Sequence, residues 1–156
     1  MPERMKAPTV GTVQRITAPG WRLLGGVPLF AGLSQRDLKR IGALAEEVWF
    51  PPGDHVIDEG KPALAFYVIL DGTARVARGA AKRVLGHLGP GDYFGELSLI
   101  DGSVRSASVI AETTLDVIRL KRTAFRQVLR REPDVALRIM SGMAARVRAL
   151  EHDLLG

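Results

Sequence analysis

Between residues 47 and 120 the chain consists of short runs rich in β-branched and aromatic residues, and glycines separate these runs. Many short strands divided by glycine turns are typical of a β-sandwich or a small barrel, because each turn reverses the chain and pairs neighbouring strands. No other feature restricts the fold as strongly. The runs that we interpret as strands are 48–50, 55–57, 66–70, 74–77, 83–85, 107–110 and 115–118.

Helical spacing of apolar residues flanks this β-rich region on both sides. Upstream, Ser34 is a suitable N-cap, and the apolar spacing after it predicts a helix over 35–46. Downstream, a short helix is predicted to end at Pro133. An apolar stripe then predicts a final helix, and it contains Ala136, Leu137, Met140, Met143, Ala144, Val147, Leu150 and Leu154.

Length and composition indicate one domain with an N-terminal tail. The chain has 156 residues, 46% of them hydrophobic and 25% charged, which suits a single packed core. Residues 1–20 contain three prolines without sustained periodicity and predict a flexible tail, so the domain should cover 21–156. No apolar run has the length of a membrane span or a signal peptide, and cysteine is absent. We therefore expect a soluble, cytoplasmic protein that does not bind membranes.

The positive charge is concentrated at the C-terminal end. The net charge is +5, and residues 119–156 carry nine Lys and Arg against four Asp and Glu. A basic helix can bind nucleic acid or an acidic partner, but it is more often a solvated helix face. Since no helix-turn-helix pattern follows it, we do not expect nucleic acid as a partner.

The segment 91–109, between two predicted strands, contains the residues best suited to bind a ligand. Gly95 permits a close approach of the backbone to a ligand. Arg105 is a planar cation suited to phosphate, and Ser106 adds a hydroxyl group. Glu96 cannot bind phosphate, but its carboxylate can accept a hydrogen bond from a sugar hydroxyl. An acidic and a basic side chain that lie around the same turn, here Glu96 and Arg105, suit a ribose phosphate. The alternative is a surface arginine that pairs with Asp101 or Glu112.

Residues 94–108, FGELSLIDGSVRSAS, resemble the phosphate-binding cassette of the cyclic nucleotide-binding domain family. The resemblance is closest to the domains of the catabolite activator and of the kinase A regulatory subunit. It extends over about residues 27–150, since 27–30 is similar to the family's entry motif and 66–72 to its barrel turns. The resemblance implies a mainly β fold: a double-stranded β-helix, or jelly-roll, barrel of eight strands with N-terminal helices and a C-terminal helix pair.

The resemblance also implies roles for individual residues. Glu96 would accept from the ribose 2′-hydroxyl, and Arg105 would bind the cyclic phosphate. The catabolite activator subfamily places a Thr-Ser pair against adenine, and the corresponding positions here are Leu150 and Glu151. The ligand implied is cAMP rather than cGMP, because Ser106 resembles that subfamily. The full set of expected ligand-binding residues is Gly95, Glu96, Leu97, Ser98, Arg105, Ser106, Ala107, Val84, Leu85, Leu150 and Glu151.

The function that follows from the resemblance is binding without catalysis, by a stand-alone sensor that needs no cofactor. Its final helix would act as a lid and join two copies into a homodimer, and an unidentified effector protein would receive the signal. Simple packing of that helix on the barrel is the alternative.

Three other functions remain open from the sequence. One is a domain of the same fold that binds proteins instead of nucleotides, and a second is a fragment of a transcription factor. The third is a jelly-roll enzyme of the cupin kind, but His55, His87 and His152 lack metal-ligand spacing. We therefore expect neither a catalytic residue nor a metal.

Overall fold

The computed structural model describes residues 13–15 and 20–155. Its strands are β1 (Val13–Arg15), β2 (Glu46–Phe50), β3 (His55–Ile57), β4 (Ala65–Asp71), β5 (Ala74–Arg78), β6 (Arg83–Leu88), β7 (Tyr93–Phe94), β8 (Ser108–Ala111) and β9 (Leu115–Lys121). Its α-helices are α1 (Trp21–Leu24), α2 (Gln35–Leu44), α3 (Glu96–Asp101), α4 (Arg122–Arg131) and α5 (Pro133–Leu155), and a 3-10 turn covers Pro28–Phe30.

The strands form two antiparallel sheets that pack face to face. Five strands make one sheet in the order β1-β2-β9-β4-β7, and four make the other in the order β3-β8-β5-β6. The mainly β double-sheet jelly roll is therefore confirmed. Eight of the strands in the described part of the chain lie between residues 46 and 121. The ninth, β1, lies inside the segment 1–20 that we assigned to a tail, and residues 1–12 and 16–19 of that segment lie outside the described residues.

The central strand β4 separates two hydrophobic cores. Alternate side chains of a strand point to opposite faces. On one face Phe66 and Val68 pack with the helices, and on the other Tyr67 and Ile69 pack between the two sheets. Burial on both faces explains why the run 66–70 is apolar throughout, without the alternation of a half-exposed strand.

Helix α2 begins where the sequence predicts and ends two residues earlier. The Ser34 hydroxyl accepts a hydrogen bond from the Asp37 N–H at 3.1 Å, as an N-cap does. The predicted end was residue 46, but the helix stops at Leu44 because Glu46 begins β2. Arg119 on the neighbouring strand β9 donates to the Glu46 carboxylate from Nε at 2.9 Å and from Nη2 at 2.5 Å. Pairing with a distant strand therefore ends the helix.

Helix α5 packs on the domain mainly through residues that the predicted apolar stripe omits, although the stripe residue Met143 packs against the same core. Val135 and Ile139 are buried against the helical core, and Arg138 Nη1 donates to the Leu29 carbonyl at 2.8 Å. The stripe residues Leu137 and Met140 are more than half exposed. Among the described residues, no helix, α5 included, is both long and apolar enough to cross a membrane.

Candidate ligand-binding site

A cavity of about 600 Å³ lies between the four-stranded sheet, the segment 93–107 and the C-terminal part of α5. Drug-sized ligands occupy cavities of roughly 300–1,000 Å³. The strands contribute Ile57, Val76, Leu85, Gly86, His87, Leu88 and Val109; the segment contributes Tyr93, Phe94, Gly95, Glu96, Leu97, Ser98, Arg105, Ser106 and Ala107; and α5 contributes Arg146, Ala149, Leu150 and Asp153.

The short helix α3 is bounded by two glycines in the left-handed conformation. Gly95 has φ of 93° and Gly102 has φ of 76°, which other residues adopt only with strain. A Cβ atom on Gly95 would also lie 2.9 Å from Arg105 Nη1. Glycine is thus required at position 95 both for the turn and for the space that the guanidinium occupies.

Arg105 is almost completely buried, with 4% of its surface exposed. Its Nη1 donates to the Gly95 carbonyl at 2.7 Å, and its Nη2 donates to the Ala65 carbonyl at 2.6 Å. A guanidinium has five N–H donors in one plane, so these two bonds set its orientation and leave donors for a ligand. Neither alternative partner is used, because Asp101 accepts from Ser103 and Glu112 pairs with His87.

Arg105 remains positively charged in spite of this burial. Desolvation lowers the pKa of the guanidinium below its ordinary value, while the nearby Tyr67 and Glu96 act in the opposite direction. An arginine does not lose its proton in proteins, because its ordinary pKa lies far above physiological pH. The cavity therefore presents a fixed positive charge.

Glu96, the first residue of α3, is also buried, with 2% of its surface exposed. Its Oε1 accepts a hydrogen bond from Arg146 Nη1 of α5 at 2.8 Å. Tyr93 stands close to this pair. Burial and the charge of Glu96 raise the pKa of its phenol above the ordinary value, and Arg146 offsets only part of this rise. The carboxylate is therefore held in the cavity wall by a cation from the last helix.

The predicted serines differ in what they do. Ser98 is buried, and its hydroxyl donates to the Val104 carbonyl at 3.1 Å, so it ties α3 to the loop that follows. Ser106 is exposed, and its carbonyl accepts from Arg78 Nε at 3.0 Å. Both serines line the cavity.

Nine of the eleven expected ligand-binding residues line the cavity, and Val84 and Glu151 do not. Leu85 is the extra residue of a β-bulge, since Val84 pairs with Ala77 and Gly86 pairs with Val76, and it lines the cavity while Val84 does not. Adjacent residues on a helix are about 100° apart, so Leu150 borders the cavity and Glu151 turns away from it.

Eleven residues of the cavity wall are missing from the expected set, and four of these are Tyr93, Arg146, Ala149 and Asp153. Two of them follow from the expected position of Leu150 at the ligand. Residues four before and three after Leu150 share its side of a helix. That spacing selects Arg146 and Asp153.

A buried carboxylate and a buried guanidinium in one cavity suit a ligand that has a hydroxyl group and an anionic group. The carboxylate accepts from the hydroxyl, and the guanidinium binds the anion with parallel N–H donors. Within residues 13–15 and 20–155, no group of three or more His, Asp and Glu side chains is arranged to hold a metal ion.

Comparison with known proteins identifies relatives with similar sequences. A cyclic AMP receptor protein from Thermus thermophilus is 35% identical over 135 residues, which are 83% of this chain and 62% of the relative. A cAMP-dependent protein kinase regulatory subunit from Emericella nidulans is 36% identical over 103 residues, 66% of this chain and 25% of that protein. This chain therefore spans less than two thirds of each relative.

The solved structures agree with the sequence relatives. The crystal structure of the Thermus thermophilus catabolite activator protein matches with a TM-score of 0.72 at 33% identity, and the match covers 82% of this chain and 62% of that one. The family model for the cyclic nucleotide-binding domain matches residues 47–132, which include every cassette residue from Phe94 to Ser108. Because this match covers more than half of the chain, the resemblance is confirmed, and the chain belongs to the cyclic nucleotide-binding domain family.

Proposed function

We propose that the chain binds a 3′,5′-cyclic nucleotide, with the ribose 2′-hydroxyl on Glu96 and the cyclic phosphate on Arg105. One observation carries this proposal: two oppositely charged side chains, each at most 4% exposed, line the same cavity. Burying a charge is costly unless something compensates it, so such a pair facing a cavity calls for a ligand of matching chemistry.

We propose adenine as the preferred base, so that cAMP binds more tightly than cGMP. The relatives from Thermus thermophilus and Emericella nidulans are both named for cAMP. In the cavity wall, Leu85 and Leu150 offer apolar surface to a purine ring, and the Asp153 carboxylate can accept from an amino group.

The proposed role is that of a stand-alone sensor in the cytoplasm, without a catalytic step, a cofactor or a metal. Helix α5 contributes Arg146 and Leu150 to the cavity wall, so a bound nucleotide contacts this helix directly. Occupancy would therefore favour one packing of α5 over another. A separate effector protein would respond to that change.

We propose that a second copy of the chain covers the exposed apolar side of α5. Its residues recur at intervals of three, four or seven positions, which is the spacing of a two-helix seam, and the same side on a second copy is self-complementary. Five large apolar side chains on this helix are between 52% and 85% exposed: Leu137, Met140, Val147, Leu150 and Leu154.

Isothermal titration of the purified chain with cAMP, and then with cGMP, tests the proposal. We expect binding of both, with cAMP the tighter ligand. Arg105→Ala should weaken cAMP binding about 10- to 100-fold, because a charge-assisted hydrogen bond is worth roughly 1.5–3 kcal/mol and each 1.4 kcal/mol is tenfold.

The matched control is Arg126→Ala, which removes an exposed arginine on α4 that does not line the cavity. It should bind cAMP like the wild type. Since Arg105 also bonds two backbone carbonyls, thermal unfolding must show that the Arg105→Ala chain is folded at the temperature of the titration. Wild-type protein that binds neither nucleotide would overturn the proposal and favour a protein-interaction module of the same fold.

A further inference from the structure

The segment that carries Arg105 and Ser106 is attached to two neighbouring turns. On one side the Gly60 N–H donates to the Arg105 carbonyl at 2.8 Å, and the Arg105 N–H donates to the Lys61 carbonyl at 2.9 Å. These bonds fix the backbone of Arg105 from the turn between β3 and β4. The carbonyl of Ser106, the next residue, is held from another part of the fold.

The β5–β6 hairpin supplies the second attachment. Arg78, the last residue of β5, donates from Nε to the Ser106 carbonyl at 3.0 Å. At the turn of the hairpin the Gly79 N–H donates to Glu59 Oε1 at 2.8 Å, and the Glu59 N–H donates to Ser108 Oγ at 3.0 Å. The hairpin therefore holds the segment directly through Arg78 and indirectly through Glu59.

The Ser106 carbonyl shares one peptide plane with the Ala107 N–H. The C=O and N–H groups of a trans peptide point in opposite directions, because the unit is planar. Arg78 does not line the cavity, whereas Ser106 and Ala107 both do. A carbonyl that is held by Arg78 from outside the cavity therefore sets the direction of an N–H group in the cavity wall.

We propose that Arg78 is a positioning residue for the cyclic phosphate: it holds the Ser106 carbonyl and so directs the Ala107 N–H toward the anion that Arg105 binds. The proposal rests on the proposed binding of a cyclic nucleotide. It makes phosphate recognition depend on an exposed residue of the hairpin that does not line the cavity. Arg78 acts through the backbone, because a donor that is fixed before the ligand arrives reduces the cost of ordering on binding.

The test is isothermal titration of the full chain with the two phosphorothioate diastereomers of cAMP, in which sulfur replaces one or the other exocyclic phosphate oxygen. The quantity compared is the ratio of the two dissociation constants. Sulfur accepts hydrogen bonds only weakly, so donors of fixed direction distinguish the two diastereomers. In the wild type the ratio should be about tenfold or more, the value of one charge-assisted hydrogen bond. In Arg78→Ala it should fall below about threefold, because the donor is no longer oriented.

Arg83→Ala is the matched control. Arg83 lies directly opposite Arg78 on the β5–β6 hairpin, is exposed as Arg78 is, and does not line the cavity. The variant removes the same charge from the same hairpin, so its ratio should equal that of the wild type. Arg78→Lys keeps a positive charge and a donor without the planar fork, and it should give an intermediate ratio. Thermal unfolding checks that each variant is folded at the temperature of the titration.

A second ratio separates positioning of the phosphate from a general loosening of the cavity. The ligands cAMP and 2′-deoxy-cAMP differ only at the ribose, so the ratio of their dissociation constants should be the same in the wild type and in Arg78→Ala. Equal changes in the ribose ratio and the phosphorothioate ratio would overturn the proposal. So would a phosphorothioate ratio that falls as far in Arg83→Ala as in Arg78→Ala, because the charge of the hairpin would then be the cause.

The two proposals fail in different ways. Wild-type protein that binds neither cAMP nor its analogues refutes cyclic nucleotide binding, and the role of Arg78 with it. Wild-type protein that binds cAMP but does not distinguish the diastereomers, or keeps the same ratio in Arg78→Ala, refutes the role of Arg78 alone.

Discussion

The two halves of α5 contact the domain in different ways. In the first half, Val135 and Ile139 are each 1% exposed in the helical core, and Arg138 bonds the Leu29 carbonyl. In the second half, Val147 and Leu154 are exposed, and contact with the domain is made at the cavity, where Arg146 bonds Glu96. The first half belongs to the core of the fold, and the second half belongs to the wall of the ligand site.

The two kinds of contact hold the helix in different ways. Complete burial of an isoleucine side chain contributes about 1.5–3 kcal/mol. The second half is held at the cavity by the ion pair between the buried Glu96 and the half-exposed Arg146. The buried side chains of the first half, Val135 and Ile139, do not line the cavity, so a ligand there would contact the second half and not the first.

The largest effect that distinguishes the halves should come from Ile139→Ala. The substitution leaves a cavity in a core of close-packed side chains, so the free energy of unfolding should fall by about 2–5 kcal/mol. Urea unfolding measures this loss. Leu137→Ala on the exposed side of the same half should change it by less than about 0.5 kcal/mol. Equal losses in the two variants would contradict the assignment of the buried side.

A smaller effect is expected at the boundary between the halves, in Gly142→Ala. The new methyl group would clash with the Tyr93 hydroxyl at 2.5 Å, so unfolding should become easier by about 1–3 kcal/mol, as overpacking usually makes it. The control combines Gly142→Ala with Tyr93→Phe, which removes the hydroxyl. In that background alanine should be neutral or stabilising by up to ~1 kcal/mol, because alanine favours helix over glycine. Destabilisation that persists without the hydroxyl would show that the clash lies elsewhere.

The smallest effect on the folded monomer is expected from Val147→Glu, in the exposed second half. Its free energy of unfolding should change by less than about 0.5 kcal/mol. If a second copy covers this side of α5, the buried carboxylate should abolish the dimer, which analytical ultracentrifugation detects. Ala145→Glu places the same charge on another exposed side of the helix and should leave the dimer intact. A dimer that tolerates Val147→Glu would rule out this seam.

Much of the fold and of the candidate site could be predicted because the signals are local. Glycine turns and β-branched runs located seven of the strands, Ser34 located the start of α2, and the pattern from Phe94 to Ser108 identified the family. These features depend on backbone conformation and on residues close in sequence. The two-residue strand β7 was missed, since Tyr93 and Phe94 are too short a run to show a period.

Long-range packing determined two features that local sequence patterns do not specify, namely the buried side of α5 and the partner of Glu96. The apolar residues of α5 lie on more than one side of the helix, so periodicity alone did not select Val135 and Ile139 as the buried ones. Likewise, Glu96 and Arg146 are 50 residues apart, and nothing near either residue specifies the other. A contact between distant segments exists only when sheet and helix packing bring them together, whereas capping, turns and side-chain alternation follow from the chain itself.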